Sequence, residues 1–234
     1  MLDTKIMRSL ETQARDIGTL QKPAISATTL IFSINKGKLE IALIKRLREP
    51  FKDYWSIPGD LIDIDESLED AAKSVLYEKT GIRNLYLEQL YTFGETNRDP
   101  RGRVVTVAYF ALVPQDAVDL SRAPSDLHLT WTPINSLPPL AFDHRKIIDY
   151  AVERIKSKLG YSNIAHGLLP EKFRISELQK VYEIILGEGI DKRNFRKKLK
   201  SLDLVVPTGK LYKEGSHRPA ELYKFKTKKL VVFD

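Results

Sequence analysis

Cysteine is absent from the chain, which excludes a disulfide framework and any metal site built from thiolates. The sequence also has no apolar run approaching the roughly 20 residues of a membrane-spanning helix, and it begins without a signal-peptide pattern. Neither an internal repeat nor a low-complexity tract is present. These absences predict a globular, cytoplasmic protein without a membrane partner.

Charge is distributed unevenly along the 234 residues. Residues 151–234 hold 19 Lys and Arg against 10 Asp and Glu, a net charge of +9, whereas residues 1–150 hold 19 against 21, a net charge of −2. A near-neutral domain joined to a basic one indicates that the second domain meets a polyanion, although a well-solvated surface would account for the charge equally well. We therefore predict two domains, 1–150 and 151–234, in which residues 1–22 could form a loose tail.

Runs rich in apolar and β-branched residues predict a sheet in the first domain. Strands are predicted at 24–34, 39–46, 85–94, 103–114 and 127–134. The first two flank a short polar segment in which Gly37 marks a hairpin turn, and residues 49–60 are predicted to form a loop. A helix is predicted over 144–159, where it would bridge the two domains. Its apolar stripe consists of Ile148, Ala151, Val152, Ile155 and Leu159.

The clearest helix signals lie between residues 67 and 81. Ser67 is a good N-cap, and Asp70 can reach back to complete a capping box. Gly81 can take the left-handed conformation that ends a helix. The buried face is predicted to consist of Leu68, Ala71, Ala72, Val75 and Leu76. One capped helix among several strands predicts an α+β sandwich.

The basic domain opens with a second strongly patterned helix. This helix is predicted over 175–187, with Ser176 and Gln179 as its capping box and Gly187 as its end. A short turn follows, and then a basic helix over 191–203. Two helices joined by a tight glycine-containing turn, the second of them basic, predict a helix-turn-helix.

The basic helix and the segments after it predict a DNA-binding surface. Asp191 can cap the basic helix, and the segments DLVVP and ELYKFK can pair as the strands of a wing. Solvation alone would explain a basic helix, but the preceding helix and the wing favour DNA, where cations meet phosphates and polar groups read base edges. RNA is less favoured because stacking aromatic residues are not clustered with the basic ones. The predicted DNA-binding residues are Lys192, Arg193, Asn194, Arg196, Lys197, Lys200, His217 and Arg218.

Residues 59–82 resemble the Nudix box of the Nudix hydrolases, G-x5-E-x7-R-E-U-x-E-E-x-G-U with U apolar. Glu66 and Glu78 match two glutamates of this pattern. Four positions depart from it, because the glycine, the arginine, the catalytic glutamate and the second paired glutamate are replaced by Asp60, Ser74, Val75 and Lys79. In the hydrolases, three carboxylates on one helix face hold divalent cations against a diphosphate. The resemblance therefore predicts a degenerate Nudix box without a metal site and a protein that is not an enzyme.

Residues 25–226 as a whole resemble the Nudix-related transcriptional regulators, in particular the NrtR-like branch. The matching segments are WSIPGD, the degenerate box, RDPRGRVVTVAYFAL, FDH, LLPEKF, ELQKVYE, DKRNFRKK and RPAELY. The resemblance implies an α+β protein with a Nudix-like α/β/α sandwich that senses a metabolite, followed by a C-terminal winged helix-turn-helix domain. It further implies a homodimer that binds a palindromic operator in double-stranded DNA. The expected function is a repressor of NAD metabolism genes that needs no cofactor and is released from DNA by the effector ADP-ribose.

By the same resemblance, the diphosphate of ADP-ribose would lie over the box helix and be held by charge-assisted hydrogen bonds. The candidate effector-binding residues are Arg46, Tyr54, Lys79, Arg101 and Arg103. Two alternatives stay open: an L-arabinose-responsive regulator of pentose use, and an active Nudix ADP-ribose pyrophosphatase with a basic tail. His144 is expected to cap its helix or to pack at the domain junction rather than to do chemistry.

Overall fold

The computed structural model of the protein describes residues 22–80, 87–115, 128–213, 219–227 and 229–233, without the side chains of residues 79 and 80. Several predictions fall outside this part of the chain. They are the loose tail up to residue 21, the helix end at Gly81, the side chain of Lys79, and both His217 and Arg218. Among the described helices, none is long and apolar enough to cross a membrane.

The first domain is built on a mixed sheet. Its described strands are β1 (Ala24–Asn35), β2 (Lys38–Lys45), β3 (Trp55–Ser56), β4 (Gly59–Leu61), β5 (Glu88–Phe93), β6 (Val104–Leu112) and β7 (Leu129–Pro133). They follow the order β3-β2-β1-β6-β5, with β4 added against β1 and β7 against β2. The pair of β1 and β6 is parallel, and the other pairs are antiparallel. The predicted strands are confirmed, but the loop prediction for 49–60 was wrong where β3 and β4 form, because strands this short carry no periodicity.

The turn between β1 and β2 confirms the predicted hairpin. Its two central residues, Lys36 and Gly37, have φ of 46° and 74°, and Asn35 pairs with Lys38 in the strand register. Positive φ at both central positions matches the right-handed twist of the flanking strands, and glycine adopts it without a steric cost.

Two helices cover opposite faces of the sheet, as a sandwich requires. Alternate residues of β1 and β6, such as Ala27 and Val107, pack with Ala72 of α1 (Leu68–Thr80). The intervening residues, such as Leu30 and Phe110, belong to the main core together with the predicted apolar stripe of α2 (His144–Tyr161). This division follows from the period of two along a strand, and it confirms the predicted α/β/α arrangement.

The start of α1 shows the predicted N-cap in a modified form. The Ser67 hydroxyl oxygen accepts the backbone N–H of Asp70 at 3.2 Å. The same hydroxyl donates to the Asp70 carboxylate at 2.8 Å, so the reciprocal bond reaches the side chain of Ser67 rather than its backbone N–H. The N-cap prediction is therefore confirmed, while the capping box lacks its usual second bond.

The basic domain is a winged helix-turn-helix, as predicted. Its elements are α3 (Ile175–Leu186), α4 (Lys192–Leu202), β8 (Val205–Tyr212) and β9 (Ala220–Phe225). The two strands pair antiparallel and form the wing. Gly187 ends α3 with a φ of 78°, and the Asp191 carboxylate accepts the Asn194 backbone N–H at 2.8 Å at the start of α4.

The predicted capping box of Ser176 and Gln179 was wrong. The helix begins at Ile175, and the Glu177 carboxylate accepts the backbone N–H of Arg174, the residue before the helix, at 2.6 Å. The Gln179 amide instead donates to the Ile190 carbonyl at 2.8 Å. It thereby holds the turn that leads into α4.

The hydrophobic core runs without interruption from one domain to the other. Buried side chains of the sheet, of α2 and of α3 form one cluster that extends to Phe195 and Leu199 of α4. Residues 229–233 also return to the end of α2, where the Asn163 side chain accepts the Val231 N–H and donates to the Lys229 carbonyl. The predicted domain boundary at residue 150 lies within the continuous helix α2 and stays a prediction.

Candidate functional site

The helix face that carries metal ligands in the hydrolases does not fit a metal ion here. Val75 is 4% exposed, Ser74 is half-buried, and Glu78 is exposed to solvent. Of the remaining box positions, Glu66 is half-buried and Asp60 is exposed. Among the described residues, no three His, Cys, Asp or Glu side chains come together as a metal-binding group. A buried valine offers no ligand to a hard cation, so no step of a reaction is assigned to a metal.

A cavity of about 470 Å³ lies at one end of the sheet. The hydroxyls of Ser26, Thr28 and Thr106 line it and are joined by hydrogen bonds of 2.7 and 3.0 Å. These side chains alternate with those that contact α1, so the cavity and the box helix lie on opposite faces of the sheet. From the box segment, Gly59, Asp60 and Leu61 line the cavity.

Two guanidinium groups meet around one aromatic ring in this cavity. The Arg46 guanidinium carbon lies 4.8 Å from the centre of the Phe142 ring, and that of Arg101 lies 5.8 Å from it. Phe142 has a φ of 53°, in the left-handed region that few side chains tolerate. Burial lowers the pKa of Arg46 from its ordinary value, and the neighbouring charge of Arg101 lowers it further. The Arg46 Nε donates to the Pro50 carbonyl at 2.8 Å, and stacking on the ring leaves the remaining guanidinium N–H groups available to an anion.

Asp99 holds Arg101 in its orientation. The carboxylate accepts two hydrogen bonds from the guanidinium, at 3.0 Å from Nε and 2.7 Å from Nη2, and another from the Arg101 backbone N–H. The hydrogen bond with Arg101 lowers the pKa of Asp99, and the same bond raises the pKa of Arg101. Asp99 is 5% exposed, whereas the Arg101 side chain is 54% exposed. The carboxylate of this pair is therefore buried, and the guanidinium is accessible from the cavity.

Beside this pair, Arg98 and Asp143 form a buried ion pair. The guanidinium donates to both carboxylate oxygens, at 2.7 and 3.1 Å, and the side chains are 5% and 15% exposed. Asp143 is the N-cap residue of α2. The pair therefore ties the turn between β5 and β6 to the helix that continues toward the winged domain.

His144, the first residue of α2, is buried and also lines the cavity. Its Nδ1 accepts the backbone N–H of Ile57 at 3.0 Å. Burial lowers the pKa of His144 from 6.5 to about 3, against the opposing influence of Asp143. The ring is therefore neutral at physiological pH, and the proton is on Nε2 because Nδ1 accepts a hydrogen bond.

The five candidate effector-binding residues fall in different places. Arg46 and Arg101 line the cavity. Tyr54 is exposed and packs edge-on against Phe51, and Arg103 donates to the carbonyls of Gly94 and Glu95. The side chain of Lys79 is outside the described part of the chain.

Four lining residues were not predicted to bind the effector, although they lie in segments that match the regulator family. Arg98 and Asp99 belong to the RDPRG turn, and Phe142 and His144 belong to the FDH segment. The match of those two segments to the regulator family was the signal in the sequence that could have identified these residues. Nothing in the residues themselves indicated that two stretches more than 40 positions apart face the same cavity.

The surface of α4 presents the predicted basic residues to solvent. Phe195 and Leu199 are buried beneath the helix, which fixes its orientation. The exposed side chains are Lys192, Arg193, Asn194, Arg196, Lys197 and Lys200. An exposed cationic face opposite a buried apolar stripe is the arrangement of a recognition helix.

A groove of about 600 Å³ separates α4 from the wing and from the start of α3. Arg196 and Lys200 line one side of it, and Arg174 and Ser176 line another. The Arg174 guanidinium lies over the Tyr212 ring of the wing at 5.0 Å. Arg174 was not predicted to bind DNA, because it lies ahead of α3 and outside the basic run of α4.

Comparison with known proteins gives matches over both domains. The NUDIX domain family matches residues 24–151, and the NrtR DNA-binding winged helix domain family matches residues 165–225. A protein of Acinetobacter baylyi named ADPR responsive transcriptional repressor NtrR is 39% identical over 207 residues, which cover 87% of this chain and 82% of the relative.

Two solved structures from Shewanella oneidensis are also similar. NrtR complexed with a 27mer DNA has a TM-score of 0.78 and 36% identity, over 86% of this chain and 93% of that one. The NUDIX domain of NrtR complexed with ADP ribose has a TM-score of 0.52 and 32% identity, over 66% of this chain and 99% of that one. The winged-helix prediction and the Nudix prediction are both confirmed by these matches.

Proposed function

Since the chain belongs to the family of Nudix-related transcriptional regulators that includes NrtR, we propose that it is a transcriptional repressor whose affinity for DNA is controlled by ADP-ribose. The observation that carries this proposal is the presence, in one chain, of a cation-lined cavity and an exposed basic recognition helix. The regulated genes would be those of NAD metabolism, and such a regulator acts in the cytoplasm, where the operator is.

The chemistry of the cavity favours a diphosphate ligand over a pentose. Arg46 and Arg101 offer guanidinium groups, which form bidentate charge-assisted bonds with phosphate oxygens. L-arabinose is uncharged and would add no counter-charge to a lining that holds five Arg and Lys side chains against two Asp. The named relative responds to ADP-ribose and a similar Nudix domain was crystallised with it, which supports the same effector here.

DNA would meet the winged domain through α4 and the groove beside it. Arg193 and Asn194 lie in the first turn of α4, where a recognition helix contacts base edges, and Lys200 lies farther along, beside the groove. A homodimer would present two such helices to a palindromic operator. The effector domain, 1–150, and the DNA-binding domain, 151–234, share α2 and one core, so a ligand that binds one arrangement of the dimer more tightly would shift DNA affinity.

A hydrolase is the second candidate, and the buried Val75 argues against it. Glu78 is the one carboxylate left among the three positions that hold metal in the hydrolases. We expect no magnesium-dependent turnover of ADP-ribose above background. Substantial turnover that disappears in Glu78→Gln would establish the enzyme instead.

The regulator proposal is tested by fluorescence anisotropy with a DNA fragment from the upstream region of the protein's own gene. The protein is titrated at one fixed salt concentration alone, with ADP-ribose and with L-arabinose, and against random DNA of equal length. We expect specific binding that ADP-ribose abolishes. Release by arabinose would assign the pentose branch, and equal affinity for random DNA would refute the proposal.

Reciprocal variants sharpen this experiment. Arg46→Gln should keep operator affinity and lose the response to ADP-ribose, because it removes a cation from the cavity. Arg103→Gln is the matched control, since its guanidinium is bound to backbone carbonyls away from the cavity lining. Arg193→Ala should have the reverse effect, because it should weaken operator binding and leave the affinity for ADP-ribose unchanged.

A further inference from the structure

We propose that His144 is a ligand-contacting and specificity-determining residue of the effector cavity, where its Nε2–H donates a hydrogen bond to an anionic oxygen of the bound diphosphate. This inference deepens the proposed function and rests on the same cavity. It replaces the expectation that His144 merely caps its helix or packs at the domain junction.

The hydrogen bonding of the ring fixes which nitrogen is the donor. Nδ1 is occupied as acceptor of the Ile57 N–H at 3.0 Å. A ring nitrogen that accepts cannot carry the proton, so Nε2 carries it. Among the described residues no protein group accepts from Nε2, and His144, which is 7% exposed, lines the cavity. The Nε2–H is therefore left to a molecule that enters the cavity, and a ligand oxygen there can accept it.

The surroundings select an anionic acceptor. The His144 ring lies 5.4 Å from the Phe142 ring, on which the guanidinium groups of Arg46 and Arg101 also stack. Donors from three side chains therefore converge around one aromatic ring. Of the nearby carboxylates, Asp143 pairs with Arg98 and Asp99 pairs with Arg101, while Asp60 is exposed. The lining holds five Arg and Lys side chains against two Asp, so it keeps an excess of positive charge that phosphate oxygens suit.

The position of His144 in the chain links the ligand to the DNA-binding domain. It is the first residue of α2, and α2 leads directly to the winged domain and packs in the core that both domains share. A bond from the ligand to this ring acts on the end of that helix without an intervening side chain. The contact thus gives a physical route for unequal binding to two arrangements of the domains.

Two substitutions separate the two ring nitrogens. In His144→Asn the side-chain oxygen can still accept the Ile57 N–H, but the donor that reaches the cavity is lost. In His144→Gln the longer side chain can present an N–H near the position of Nε2, while the acceptor for Ile57 is lost. We expect His144→Asn to fold and to bind ADP-ribose about 10- to 100-fold more weakly by isothermal titration calorimetry, because one hydrogen bond to a charged group is lost. We expect His144→Gln to unfold at a lower temperature and to keep more of the affinity.

A measurement on the unaltered protein guards against variants that fail to fold. In 15N-histidine-labelled full-length protein, the Nε2–H resonance of His144 should shift downfield on addition of ADP-ribose, and in the same direction with inorganic pyrophosphate. The proposal would be overturned if this resonance did not shift with either ligand. It would also be overturned if His144→Asn bound ADP-ribose with an affinity within threefold of that of the unaltered protein. Operator release by ADP-ribose without any change at His144 would refute this inference alone. A shift at His144 without operator release would refute the repressor function and leave the inference standing.

Discussion

Breaking the ion pair between Arg98 and Asp143 should destabilise the protein by an amount that depends on which of the two residues is replaced. Asp143→Ala leaves a guanidinium whose side chain is 5% exposed without its counter-charge, which costs about 3–5 kcal/mol. Arg98→Met leaves a carboxylate that is 15% exposed at the start of α2. The helix dipole favours a negative charge there by about 0.3–1 kcal/mol, so we expect a smaller loss of about 2–4 kcal/mol.

The double variant Arg98→Met with Asp143→Leu removes both charges and leaves neither one buried alone. Its loss of stability should fall short of the sum of the single losses by at least about 2 kcal/mol, because the pair is in direct contact. Urea unfolding at pH 7, followed by circular dichroism, measures each value. Asp149→Ala breaks the exposed pair with Arg145 on the same helix and is the control, with an expected loss below about 0.5 kcal/mol. A loss below 1 kcal/mol for Asp143→Ala, or additive single losses, would refute this reasoning.

Three further predictions concern α4 and the buried histidine. Arg193→Ala should weaken operator binding by roughly 1–3 kcal/mol and relax specificity, whereas Lys200→Ala should weaken binding to all sequences and flatten the salt dependence; equal losses on operator and random DNA for Arg193→Ala would contradict direct readout. Asp191→Ala should lower stability by about 1 kcal/mol through loss of the α4 cap, with the exposed Glu188→Ala as a control that shows little change in thermal unfolding. The pKa of His144 is about 3 in the folded state and 6.5 in the unfolded reference, so the folded state binds fewer protons. The free energy of unfolding should therefore be highest above pH 6.5 and should decrease as the pH is lowered, by about 2 kcal/mol at pH 5. His144→Asn should remove this part of the pH dependence, and an unchanged profile would show that another group causes it.

The sequence determined the elements whose apolar pattern repeats over several turns or strand residues. The stripe of α2 and the alternation of β1 and β6 were legible because one face of each must be buried, whatever the rest of the chain does. The cap at Asp191 and the stop at Gly187 were equally legible, since each satisfies backbone groups within its own turn. Strands β3 and β4 could not be predicted, because two or three residues carry no period.

The capping box of α3 shows where local pattern stops being sufficient. The spacing of three residues fits both the pair Ser176 and Gln179 and the pair Arg174 and Glu177. The structure has the second pair, and Gln179 bonds instead to the carbonyl of Ile190 across the turn. That bond depends on the approach of α4, which lies outside the pattern of α3 itself.

The cavity shows most clearly which properties of the protein follow from the sequence and which depend on the tertiary structure. From the residues alone, the chain fixed the loss of carboxylates at the box helix and the cationic face of α4, because both follow from residue identity at helical spacing. The tertiary structure alone decided that Arg46, Arg101 and His144 surround one aromatic ring on the sheet face opposite the box helix. It also decided which nitrogen of His144 carries the proton, because that depends on a backbone N–H 87 positions away in the sequence. Local structure depends on neighbours along the chain, whereas the charge, burial and direction of a site depend on neighbours that only folding brings together.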